Sequence, residues 1–177
     1  MDAPIEVHPG IFIAENFLSQ EEVALILNYC STLTTEDWNK RGDESPNISS
    51  IGLSSAVLDR LRTLFDPSEY IVRNANRIQR REPGEHDVVH YAHLREDDRC
   101  LMSCLIIVND DYEGGELDFV NQEFVVKPKS GSIIYFSPTE DHAFNIRAIN
   151  EGSFRYAIPE DIFVIEPDQP TLEPINS

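Results

Sequence analysis

Apolar positions recur with one period in the first third of this chain and with another in the rest. IEVHPGIFIAENFL reads as a strand kinked at Pro9-Gly10. SQEE follows, and Ser19 with Glu22 forms a capping-box pattern that predicts a helix through EEVALILNYC. Val23, Leu25, Ile26 and Leu27 supply its apolar face. TTEDWNKRGDESPNISS is polar and rich in turn residues, which predicts a loop. SSAVLDRLRTLF repeats the helical pattern, with a Ser cap and Val57, Leu58, Leu61 and Leu64 at helical spacing. After the turn DPSEY the pattern becomes short, β-rich runs bounded by turns: YIVRNANRIQRR, LMSCLIIV, GELDFV, QEFVVKP, GSIIYFS, HAFNIRAI and RYAIPEDIFVI. Helices first and strands after predict an α+β fold with a barrel or double sheet at its core.

A length of 177 residues, 41% of them hydrophobic, suffices for one domain with a real core. That domain is expected over residues 1–166, with a Pro-rich tail over 167–177. The formal net charge of −18 argues against nucleic acid or an anionic membrane surface as the main partner. No apolar run approaches the roughly 20 residues that span a bilayer. MDAPIEVHPG has neither the n-region nor the h-region of a signal peptide, so a cytoplasmic location is expected. Cys30, Cys100 and Cys104 are odd in number and form no CxxC, which fits buried small hydrophobes better than disulfides or a zinc site.

The candidate chemistry centres on HYAHL, residues 90–94. In a strand, His90 and position 92 share a face, about 6.6 Å apart along the chain, and two such side chains can converge on one metal. A further ligand must come from elsewhere, and His142 in SPTEDHAFNI is the candidate. Two His and a carboxylate with open positions make the facial triad of non-haem iron(II) oxygenases. Position 92, however, is Ala92. Arg155, in GSFRY, is placed to hold a distal carboxylate of a co-substrate in bidentate fashion.

The order of these parts resembles the iron(II)/2-oxoglutarate-dependent oxygenases, in particular the prolyl-4-hydroxylase-like branch. The resemblance runs through IFIAENFLSQEEVALIL, RREPGEHDVVHYA, CLIIVNDDYEGGELDF, VVKPKSGSIIYF, HAF and GSFRY, and is most specific at Asn109, Asp110, Tyr112, Gly114, Gly115, Glu116 and Leu117. It implies a double-stranded β-helix, or jelly roll, with N-terminal buttressing helices. It also implies iron(II), 2-oxoglutarate and dioxygen, acting on an unactivated C–H bond of a small molecule or peptide. By position, His90 and His142 would be metal ligands and Arg155 would anchor 2-oxoglutarate. Arg81 stands where the family often has a Tyr near the co-substrate. The His142-to-Arg155 spacing is about two residues longer than the family's, so Arg147 is an alternative anchor. A surface ion pair of Arg155 with Asp161 or Glu160 is the plain structural alternative.

Ala92 leaves three readings open. In halogenases of this superfamily, Ala or Gly replaces the metal carboxylate and a halide such as chloride takes its place. Hydroxylation is kept if Asp97, Asp98, His93 or water supplies the third ligand. The fold serves as a binding module without turnover if the metal is lost.

Overall fold

The computed structural model describes residues 1–73, 76–85, 100–152 and 154–164. The expected tail and the stretch holding His86, His90, Ala92, His93, Asp97 and Asp98 lie outside these described residues.

The N-terminal stretch makes two strands, β1 (Ile5–His8) and β2 (Ile11–Ala14), in place of one kinked strand. Gly10 takes φ +74°, which reverses the chain, and the two strands pair antiparallel as a hairpin. Helix α1 (Gln20–Thr32) starts as its capping box predicts: the Glu22 N–H donates to Ser19 Oγ and the Ser19 N–H to Glu22 Oε2. It buries Val23, Ile26 and Cys30, whereas Leu25, two positions on from Val23, turns outward and is 41% exposed.

The expected loop is partly ordered. It holds helix α2 (Thr35–Asn39), itself opened by a Thr34–Asp37 capping box, and 3₁₀ turns at Gly42–Glu44 and Ile48–Ile51. Helix α3 (Ser54–Leu64) buries Val57 and Leu61. The Ser cap is absent: Leu53 occupies the N-cap position and no side chain bonds the first turn.

The strands after α3 are β3 (Tyr70–Arg73), β4 (Gln79–Arg81), β5 (Cys100–Ile107), β6 (Tyr112–Gly114), β7 (Leu117–Phe119) and β8 (Phe124–Val126). They continue as β9 (Ile133–Phe136), β10 (Phe144–Ile146), β11 (Ile149–Gly152) and β12 (Arg155–Val164). The large sheet runs β1-β2-β9-β5-β12-β3, with β4 also on β12. Facing it are the smaller groupings β10-β7-β8 and β11-β6, and every pairing described is antiparallel. Pro159 sits mid-strand in β12 without an N–H to give. It lies where the outer edge of β12 passes from β4, which pairs with 155–157, to β3, which pairs with 161–164. A ladder bond is not needed on that side.

Strand alternation splits the core in two. One face of the large sheet gives Cys104, Ile106, Ile133, Tyr135, Ile158 and Ile162 to a cluster with α1 and α3. The other face gives Leu105, Ile107, Ile134, Phe136 and Ala157 to a cluster with Leu117, Phe119, Phe144 and Ile146 of the small sheet. The result is helices, large sheet and small sheets in layers, a mixed α/β architecture of mostly antiparallel strands. Gly114 and Gly115, at φ +79° and +70°, do not close a hairpin between β6 and β7. They carry the chain from the β11–β6 pair into the β10-β7-β8 sheet.

Candidate functional site

Arg155 opens β12 on the same face as Ala157, between the large and small sheets. It is 1% exposed, among the largest fully buried side chains described. This excludes the surface ion-pair alternative. The Tyr112 phenol hydrogen-bonds with Arg155; burial pushes that phenol up, and the guanidinium pulls against the shift. Gly115 makes room for both: a Cβ there would stand 2.7 Å from Tyr112 Cε2 and 3.5 Å from Arg155 Cδ. Lys127 Nζ lies 4.2 Å from the Tyr112 ring centre and donates to the Tyr112 carbonyl. Arg81 on β4 is the direct cross-strand partner of Arg155, so the two predicted co-substrate residues sit side by side on one face. Arg147 points elsewhere. It pairs with Asp118 at 3.0 Å and its side chain is 50% exposed. Between His142 and Arg155, β11 carries an extra residue against β6 between Ile149 and Glu151, a β-bulge.

His142 closes the 3₁₀ turn Glu140–His142 and is buried at 7% exposure, its ring 6.1 Å from that of Phe136. Its Nδ1 is within hydrogen-bond distance of Ser137 Oγ (3.0 Å) and Thr139 Oγ1 (3.2 Å). Its Nε2 faces the Pro9 carbonyl oxygen at 3.3 Å. With Nε2 carrying the proton and donating to Pro9, Nδ1 offers its one lone pair to the two hydroxyls. Gly10 packs on the same nitrogen; a Cβ there would lie 2.8 Å from Nε2.

The fit to iron(II) divides on this residue. A buried imidazole whose second nitrogen is held by hydroxyls has the donor chemistry of a metal ligand. The Pro9 carbonyl does not fit. It lies along the Nε2 bond direction, so a metal about 2 Å out would fall within roughly 1–2 Å of that oxygen, inside any metal–oxygen bond. Metal on Nε2 and Pro9 on Nε2 are mutually exclusive. Among the described residues no group of three His, Cys, Asp or Glu side chains converges as a metal site, and the other candidate ligands lie outside those residues. His8 stacks on Phe124, with ring centres 4.6 Å apart.

Two partners of the site were not identified as such from sequence. Tyr112 falls within the most specific stretch of the resemblance, yet its bond to Arg155 follows from the turn at Gly114-Gly115. The Pro9 carbonyl carries no side-chain signal, and it meets His142 across 133 residues of chain.

No protein-family model matches the chain, and no curated protein is similar to it in sequence. Solved structures are similar in fold. The viral collagen prolyl hydroxylase of Paramecium bursaria Chlorella virus 1, in complex with 2-oxoglutarate, superposes with a TM-score of 0.62 at 16% identity, over 88% of this chain and 97% of that one. A 2OG-Fe(II) oxygenase-family oxidoreductase from Burkholderia pseudomallei gives 0.64 at 16%, over 88% and 85%. The Trichoplax adhaerens prolyl hydroxylase, in complex with a hypoxia-inducible-factor peptide, gives 0.54 at 20%, over 87% and 83%. At these identities the likeness establishes one thing: the layered antiparallel fold described above is the one that these 2-oxoglutarate/iron(II) oxygenases share.

Proposed function

We propose that this chain is a 2-oxoglutarate-dependent oxygenase that holds the distal carboxylate of its co-substrate on Arg155. One observation carries the reading. A guanidinium buried to 1% exposure, bonded to a phenol inside this fold, is the arrangement that receives a carboxylate in a fixed fork. Iron(II) would be held by His90 and His142 once the Pro9 carbonyl has left Nε2. With 2-oxoglutarate and dioxygen, iron supplies an oxidant for an unactivated C–H bond of a small molecule or peptide. This chain's own residues orient the co-substrate through Arg155 and Tyr112 and keep water from it by burial.

A second reading, a 2-oxoglutarate-binding protein without iron, is favoured by the Pro9 contact on His142 Nε2 together with Ala92. Anaerobic titration with iron(II) and 2-oxoglutarate separates the two. The oxygenase reading expects the charge-transfer absorption of a chelated ternary complex, lost in Arg155→Met and in His142→Ala. Calorimetric binding of 2-oxoglutarate that is indifferent to iron supports the second reading. No binding of 2-oxoglutarate under either condition overturns both. The same titration with and without chloride tests halogenation, for which Ala92 leaves room. Absorption that ignores chloride but collapses in Asp97→Asn or Asp98→Asn supports hydroxylation with a rebuilt ligand set.

A further inference from the structure

A second site lies beside the first. Between α2 and β4 is a cavity of about 400 Å³, within the size range of small-molecule pockets. Arg41, Arg77, Arg80 and Arg81 line it, together with Trp38 and two carboxylates, Glu82 and Glu85. The whole chain has 14 basic residues against 32 acidic ones, so four arginines around one cavity reverse the local sign of charge.

The four do not play one part. Arg80 is committed to the wall: its guanidinium lies 4.8 Å from the Trp38 ring centre and 4.7 Å from that of Phe154, and it pairs with Glu82 at 2.7 Å. Arg81 is engaged by other protein groups and faces the same side as Arg155. Arg41 and Arg77 form no ion pair among the described residues. Arg77 Nε is buried without a hydrogen-bond partner among the described residues. With Nε closed off inside the wall, an oxyanion in the cavity would be met by the terminal nitrogens of the Arg77 guanidinium.

We propose that this pocket is the anion-recognition site of the substrate, taking a phosphate or carboxylate group of a small molecule on Arg41 and Arg77. This rests on the oxygenase reading only for the word substrate. The pocket and Arg155 are joined through the Arg81–Arg155 cross-strand pair, so a molecule anchored by its anion on Arg77 would reach toward the co-substrate. Guanidinium forks donate to either oxyanion in bidentate geometry, and Arg80 lies between the Trp38 and Phe154 rings.

Trp38 is the chain's single tryptophan and lines the pocket, so its fluorescence reports occupancy directly. The probes are phenyl phosphate and benzoate, which share a ring and differ in the anion, titrated at fixed ionic strength without iron. Saturable quenching is expected, weakened at least about tenfold in Arg77→Gln and in Arg41→Gln. The affinity ratio of the two probes tells a phosphate from a carboxylate. Arg155→Met should leave both titrations as in the wild type, and Arg77→Gln should leave 2-oxoglutarate affinity unchanged. Arg77→Lys, which keeps the charge and loses the fork, should fall between wild type and Gln; it serves as the test if Gln fails to fold by circular dichroism. Quenching that tracks ionic strength, wild-type affinity in both Gln variants, or loss of quenching in Arg155→Met overturns the proposal. If 2-oxoglutarate never binds but phenyl phosphate does through Arg77, the oxygenase reading falls and the anion site stands.

Discussion

Gly10→Ala tests the contact on which the iron question turns. The substitution acts twice. At φ +74° an L side chain costs about 1–2 kcal/mol. The new Cβ would also stand 2.8 Å from His142 Nε2 and 2.9 Å from Cε1. The ring cannot swing away freely, because Ser137 and Thr139 hold Nδ1 and Phe136 packs against it. Forcing that contact adds about 1–3 kcal/mol of overpacking. Together the loss is about 2–5 kcal/mol, which for a domain of this size lowers Tm by roughly 5–15 °C. A double-mutant cycle with His142→Ala divides the two parts. With the imidazole gone, Gly10→Ala should cost only its backbone share, leaving a coupling of about 1–3 kcal/mol. Thermal melts of the four proteins, read by circular dichroism, measure it. A coupling under about 0.5 kcal/mol would mean that Gly10 and His142 do not touch in solution. The barrier to metal on Nε2 would then disappear with the contact.

Three further outcomes follow from other parts of the molecule. Burial pushes the Cys30 thiol up to about 12 and raises Cys104 well above its ordinary value, whereas Cys100 is only half-buried; a thiol reagent at pH 8 should therefore modify Cys100 alone in the folded chain and all three cysteines after denaturation. Burial raises the Glu22 carboxyl, but the hydrogen bonds from Arg60 and from the Ser19 N–H more than offset this and leave it lowered. Its stabilising share is thus present above the unfolded carboxylate value and lost as pH falls through the folded one, so Arg60→Met should flatten the acid limb of a stability-versus-pH curve, and an unchanged limb would refute the assignment. Ala92→Asp should tighten iron(II) binding and make it independent of chloride, because a tethered carboxylate replaces an anion recruited from solution; an affinity unchanged from that of the parent chain at both of two chloride concentrations, in a protein that binds iron, would place position 92 away from the metal.

How far the sequence revealed this fold depended on how local each signal was. The capping box at Ser19 and Glu22 is contained in four residues, and α1 begins there. Pro9-Gly10 was equally visible, but a kink and a reversal have the same composition; the pairing of Ile5 with Ile13 decides between them, and that is a tertiary fact. For α3 the two serines read as caps, yet the helix begins one position early for them because Leu53 precedes it. At the site, Arg155 was legible as a residue but its register was not. The bulge in β11 between His142 and Arg155 takes up one residue of their spacing, and no residue type in INEG announces it. The Pro9 carbonyl was beyond reach, since no residue type announces which backbone oxygen will meet a distant imidazole.

The net charge of the chain argued against nucleic acid and anionic membranes, and of RIQRR only Arg81 was singled out, the rest being read as strand. Folding changes its meaning. In β4, Gln79 and Arg81 lie opposite Ala157 and Arg155 on the inner face, while Arg80 lies opposite Tyr156 on the helix side, against Trp38. Because β4 is a three-residue strand on the outer edge of β12, its two faces meet around one border, and arginines that alternation would separate come to line a single cavity with Arg41. Gathering positive charge there costs self-repulsion, which is strongest where Arg81 stands directly across from the buried Arg155. Bound anions relieve that repulsion from both sides of the edge. The first anion to bind takes up the field that the second would have used, so a carboxylate on Arg155 and an oxyanion on Arg77 do not favour one another, and saturating 2-oxoglutarate should not raise the affinity for phenyl phosphate, nor phenyl phosphate that for 2-oxoglutarate.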